Sequence, residues 1–145
     1  MEEEYDFECG KGWEKLYKPI LDKIEEENKN RDESNKIKIL QIKEKFGGLR
    51  IYLENETEEI AKMVFDAEDK SYQTCEICGS EENVYTVSHR CWYSTKCLDC
   101  IRKRLKDKDS YWKRENIILK KPFAREYYLL DEDLNLILKK NDNTK

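Results

Sequence analysis

Long apolar runs, a basic leader and more than a single histidine are all missing from this chain. No stretch approaches the ~18 consecutive apolar residues of a membrane span, so no membrane role is expected. The chain opens Met1-Glu2-Glu3-Glu4, acidic where a secretory leader is basic, and a cytoplasmic setting is expected. In a reducing compartment its six cysteines point to metal ligation rather than disulfides. Carboxylates abound, as in Glu58/Glu59 and Asp131/Asp133, but nothing in the pattern positions a pair for acid–base work.

What is present is charge, at 41% of residues, with a mean hydropathy of -0.99. Sixteen aromatic residues and clear Ile/Leu periodicities nonetheless provide a modest core and argue against disorder. A length of 145 residues fits one domain, or one domain with a small metal-held subdomain. The net charge of -4 hides two basic islands on an acidic background. Residues 35–50 carry five bases against one acid, and residues 96–125 carry eleven against four. Such islands predict patches, not a uniformly basic nucleic-acid coat.

The strongest motif is Cys75-Glu-Ile-Cys78, 18 residues, then Cys97-Leu-Asp-Cys100. Each CxxC forms a tight turn presenting two sulfurs, and two such turns at this separation complete a tetrahedral four-thiolate zinc site. Bound zinc contributes roughly 10–16 kcal/mol to folding in small modules, compensating for a thin core. Four thiolates leave no open position for water, so the expected role is structural.

Around the motif, Trp13, Leu16, Tyr17, Ile20, Leu21 and Ile24 form one apolar stripe, predicting a helix over about 12–29. Pro19 either kinks it or marks its first turn. Residues 37–54 read as a β-hairpin turning at Gly47-Gly48. Asn55, with Glu58 three residues on, is the expected N-cap of a second helix reaching about Tyr72, buried through Ile60, Met63, Val64 and Ala67. Short strands at 84–88 and 91–95, a basic helix over 101–108 and a strand over 115–123 follow. Residues 127–138 fit either a hairpin turning at Asp131-Glu132-Asp133 or a helix. Residues 139–145 read as a polar tail, and no internal repeat is evident.

Three blocks, ECGKGW (Glu8–Trp13), QIKEKFGGLRIY (Gln41–Tyr52) and CEICG with RCWYSTKCLDC (from Cys75, and Arg90–Cys100), together resemble a family of small, largely uncharacterised proteins of bacteria and their phages. The resemblance spans about residues 7–102 and implies a compact zinc-containing fold, often borne on mobile elements. It supplies no reaction. Cys91 stands where the pattern has a glycine, and the segment after Lys103 lies outside it.

The expected fold is α+β: two helices on a small antiparallel sheet built on the central hairpin, with a four-cysteine zinc ribbon attached. Its expected segments are a core over 1–74, the zinc module over 75–102, and a basic extension over 103–145 packed on the core. Two places are candidate ligand sites. At the hairpin tip, Lys43, Lys45 and Arg50 surround Gly47-Gly48, whose amides can meet an anion closely. The bland alternative is a simple turn, with Phe46 and Leu49 plugging the core. After the zinc module, ten cations from Arg102 to Arg125, Arg104 among them, interleave with Tyr111, Trp112 and Phe123 in a pattern suited to phosphate contact and base stacking, or to a solvated face.

Three functions follow from this. The first is a non-enzymatic, zinc-stabilised protein, phage- or mobile-element-encoded, capturing a nucleic acid or nucleotide. The second is an adaptor or inhibitor, such as an anti-defence factor, docking a host protein. The third and least favoured is a zinc-ribbon nuclease of HNH type using His89. That residue lacks the preceding Asp and the later Asn and His such chemistry uses, so a ribbon-surface histidine is the simpler expectation. Cys9 reads as a small buried residue.

Overall fold

The computed structural model describes residues 7–139. Its first half is a three-stranded sheet covered by two helices, and its second half is a five-stranded antiparallel sheet that begins at the cysteine motif. The fold is α+β, as the sequence predicts.

After β1 (Phe7–Glu8) and a single 3₁₀ turn, α1 runs from Glu14 to Asn28. Pro19 lies inside α1 and does not begin it, giving up one i to i−4 bond. The predicted stripe is the buried one: Trp13, Leu16, Tyr17, Ile20 and Ile24 join Ile42, Leu49, Ile51, Ile60 and Ala67 in one core. Strands β2 (Lys38–Lys45) and β3 (Gly48–Glu54) form the hairpin, with β1 parallel on its outer edge. Helix α2 (Glu58–Ser71) packs on β3 and on α1.

Two local expectations are corrected. The hairpin turns at Phe46-Gly47, not Gly47-Gly48, because Lys45 pairs with Gly48. Both turn residues have positive φ (53° and 83°), as a primed two-residue turn requires. Gly48 is a strand residue, and its side-chain position is filled by the Tyr72 ring, which a Cβ would overlap. Phe46 is consequently exposed, while Leu49 is fully buried. Thr57 caps α2, its Oγ1 accepting from the Ile60 N–H at 3.1 Å. Asn55 instead takes a left-handed turn and donates to the Lys36 carbonyl.

In the second half, β4 (Val84–His89) and β5 (Trp92–Cys97) form the ribbon, and α3 (Leu98–Lys106) leaves it. The rest of the chain extends the ribbon's own sheet. Strands β6 (Ile117–Lys120), β7 (Tyr127–Leu130) and β8 (Leu136–Lys139) give the order β5-β4-β6-β7-β8. Residues 127–138 are thus a hairpin, its turn held by Asp131, whose Oδ1 accepts from the N–H groups of Asp133 and Asn135. Val87, Leu119, Ile117, Ile101 and Trp112 form this half's core. Residues 140–145, within the expected polar tail, lie outside the described residues.

Candidate metal centre and adjoining cleft

Cys75 and Cys78 sit on one tight turn, closed by N–H bonds from Gly79 to the Cys75 carbonyl and from Cys75 to the Ser80 carbonyl. Cys97 ends β5 as the N-cap of α3, and Cys100 lies in that helix's first turn. Pairing of Val84 with Cys97 brings the second turn back to the first. The four sulfurs lie within 4.8 Å of one another, and Cys78 Sγ is 3.6 Å from Cys97 Sγ. A disulfide would need about 2.05 Å. A tetrahedron with metal–sulfur bonds of about 2.3 Å has edges of about 3.8 Å, so the spacing fits a metal ion.

The thiols are unequal. Burial pushes Cys75 up, but N–H bonds from Cys78, Cys97 and Ile77 outweigh it and leave the thiol below its ordinary value. Burial drives Cys97 up against opposing hydrogen bonds involving Cys100, and burial followed by the neighbouring sulfurs drives Cys100 up. Cys97 and Cys100 therefore resist ionisation, which a cation joining the cluster would favour.

The first half grips this centre. Gly12 donates to the Glu76 carbonyl at 2.9 Å, and a Cβ on Gly12 would overlap the Cys75 carbonyl and the Gly79 amide. Trp13 Nε1 donates to the Thr74 carbonyl at 2.8 Å within the buried interior. The ECGKGW block is thus the seat of the first cysteine turn.

At the hairpin tip the glycines face inward. The Gly47 N–H donates to Glu44 Oε1 at 2.7 Å, its carbonyl accepts from Thr95 Oγ1, and both glycines are buried. Arg50 donates to the Leu49 carbonyl and to the Tyr72 hydroxyl at 2.8 Å. Lys43 and Lys45 stay on the outer face, over the rings of Tyr52 and Phe46. Arg102 and Arg104 part company. Arg102 donates to the Leu134 carbonyl, tying α3 to the β7–β8 turn, whereas Arg104 lies 4.4 Å from the Trp112 ring centre and 5.4 Å from that of Tyr111.

Arg104 belongs to a cleft of about 850 Å³ between the two halves. The β1 end and Glu44 form one wall, and Glu76, β5 and residues 111–113 form the other. Trp92 and Tyr111 present rings that are 75% and 71% exposed. Arg90, Arg104 and Lys113 supply positive charge. Beneath them Lys96, only 4% exposed, donates to Glu76 Oε1 at 2.8 Å.

His89 is a correction to the surface expectation, being 6% exposed. Its ring stacks on Trp112 at 5.3 Å and 6°, and its Nε2 accepts from the Lys113 N–H at 3.4 Å. Burial, then the charges of Arg90 and Arg104, hold its pKa below the ordinary value. Glu76, Ser94 and Lys96 were not singled out by sequence reasoning. The one available signal was alternation, which puts Ser94 and Lys96 on the same face of β5.

No protein-family model, no curated protein and no solved structure matches this chain.

Proposed function

We propose that this chain is a zinc-stabilised binding protein that captures a nucleic acid or nucleotide without turning it over, in the cleft beside the metal centre. The observation that carries the reading is the convergence of exposed Trp92 and Tyr111 with Arg90, Arg104 and Lys113 on one concavity. Aromatic faces accept stacked bases of any identity, and the cations contact phosphate. Arg104 is held in place by the rings it lies on, so little of its freedom is lost on binding. A volume of about 850 Å³ lies within the range of small-ligand sites.

Zinc suits the four-thiolate donor set, and its part is to hold the two cysteine turns together as a fold element. The protein as purified is expected to carry about one zinc per chain, and a chelator that strips it is expected to abolish the cooperative unfolding transition. The His89 ring, stacked and engaged at Nε2, supports a structural part for it rather than that of a general base.

The test is fluorescence anisotropy of the metal-loaded protein with labelled single strands and nucleotides at two salt concentrations. Binding is expected to weaken with salt. Tyr111→Ala is expected to cost about 1–3 kcal/mol per stacked base. Arg104→Gln is expected to weaken binding and flatten its salt dependence, while Lys45→Glu, on the outer face of the hairpin, leaves it nearly unchanged. Absence of binding to every such ligand overturns the reading, and a stoichiometric complex with one protein would then favour the adaptor function.

A further inference from the structure

Two side-chain atoms along the cleft are buried with no hydrogen-bond partner among the described residues: Glu76 Oε2 and Ser94 Oγ. Leaving such a group unpaired is costly, and a ligand bonding to both would recover that cost. Their placement is coupled. Glu76 Oε1 is fixed by Lys96, which lies two residues from Ser94 on the same face of β5, and Ser94 is itself 6% exposed.

The chemistry of the pair narrows the ligand. An ionised carboxylate only accepts, whereas a hydroxyl both donates and accepts. Together they call for a planar edge carrying N–H donors toward Glu76 and a carbonyl toward Ser94. Among the nucleobases guanine has that edge, with its 2-amino group and N1–H adjacent and O6 beside them. Adenine and cytosine set a bare ring nitrogen next to their amino group, which a carboxylate repels. Uracil offers a single N–H between two carbonyls.

Resting on the cleft reading above, we infer that Glu76 and Ser94 recognise the Watson–Crick edge of guanine, making the site selective for guanine nucleotides or guanine-bearing strands. Lys96 is a positioning residue, holding one carboxylate oxygen so that the other is left to the base.

The experiment is calorimetric titration of the metal-loaded protein with the four 5′-mononucleotides and inosine 5′-monophosphate. A parallel series uses a pyrimidine oligonucleotide carrying one central guanine, hypoxanthine or adenine. Guanine is expected to bind about tenfold or more tightly than adenine, with hypoxanthine, lacking the 2-amino group, between them. Ser94→Ala removes an unpaired atom, so it is expected to fold normally while shrinking the guanine preference. Glu76→Gln, with metal content and circular dichroism checked, is expected to abolish that preference. Should Glu76→Gln fail to fold, the inosine series and Ser94→Ala still decide the matter. Equal binding of all bases overturns guanine selection and leaves the cleft reading standing. A guanine preference untouched by Ser94→Ala overturns the assignment to this wall. No binding in either series overturns both.

Discussion

The carbonyl of Gly47, at the tip of the first-half hairpin, accepts the hydroxyl of Thr95, two residues before the metal-centre cysteine Cys97. The Thr95 carbonyl in turn accepts the N–H of Glu76, inside the other cysteine turn, at 3.0 Å. One fully buried threonine thus joins the hairpin, the ribbon and the metal centre. Thr95→Val keeps the shape and strands the Gly47 carbonyl. The expected loss is about 1–3 kcal/mol in urea unfolding, with weaker metal retention in chelator competition.

Gly48 makes the complementary case on the other side of the hairpin. A methyl there would run into the Tyr72 ring, whose hydroxyl accepts from Arg50 and so resists moving aside. Gly48→Ala is expected to cost about 1–3 kcal/mol by overpacking. Gly48→Ala combined with Tyr72→Ala should recover part of that loss, which a thermal melt series would show.

Such contacts mark the boundary of what the chain's linear pattern discloses. The cysteine turns, the α1 stripe and the hairpin are visible because neighbours within a few residues determine them. The turn register is not visible, since two adjacent glycines permit both registers and a tyrosine 24 positions away selects one. Addition of β6 to β4 joins segments about 30 residues apart, and no local signal announces it. The cleft is harder still, for Glu76 in the first cysteine turn and Lys96 on β5 are twenty residues apart and meet only in the folded protein.

His89 gives the fold a pH dependence of definite sign. Its folded pKa lies below the ordinary 6.5, so the unfolded chain binds the proton more readily. Its stabilising contribution is therefore complete above about pH 6.5 and is lost as pH falls toward the folded value. Protonation also removes the acceptor that Nε2 offers to the Lys113 N–H. Urea midpoints are expected to fall between pH 7 and 5.5. In His89→Phe, which preserves a flat ring against Trp112, that slope should be reduced.

Cys91 occupies the turn between β4 and β5 with φ of 66°, beside Arg90 at 51°. Left-handed backbone costs a non-glycine residue roughly 1–2 kcal/mol, partly offset by glycine's greater chain entropy. Cys91→Gly is thus expected to stabilise the protein by up to about 1 kcal/mol. Because Cys91 is exposed and outside the sulfur cluster, metal content should not change. A lower melting temperature or a lost metal equivalent would count against that placement.

The Glu76–Lys96 pair offers the sharpest separation between stability and recognition. Its two side chains are 13% and 5% exposed, and the ammonium also lies 5.0 Å from the Trp112 ring centre. Glu76→Ala leaves that ammonium buried without its counter-charge, and the expected loss is about 3–5 kcal/mol. Replacing both partners removes the stranded charge as well, so Glu76→Ala with Lys96→Met should be markedly more stable than Glu76→Ala alone. Chemical unfolding of the two single variants and the double variant measures that coupling. Additive losses would mean that the two groups do not hold one another. If the double variant recovers stability yet binds no guanine ligand, the pair's charge serves recognition and not the fold.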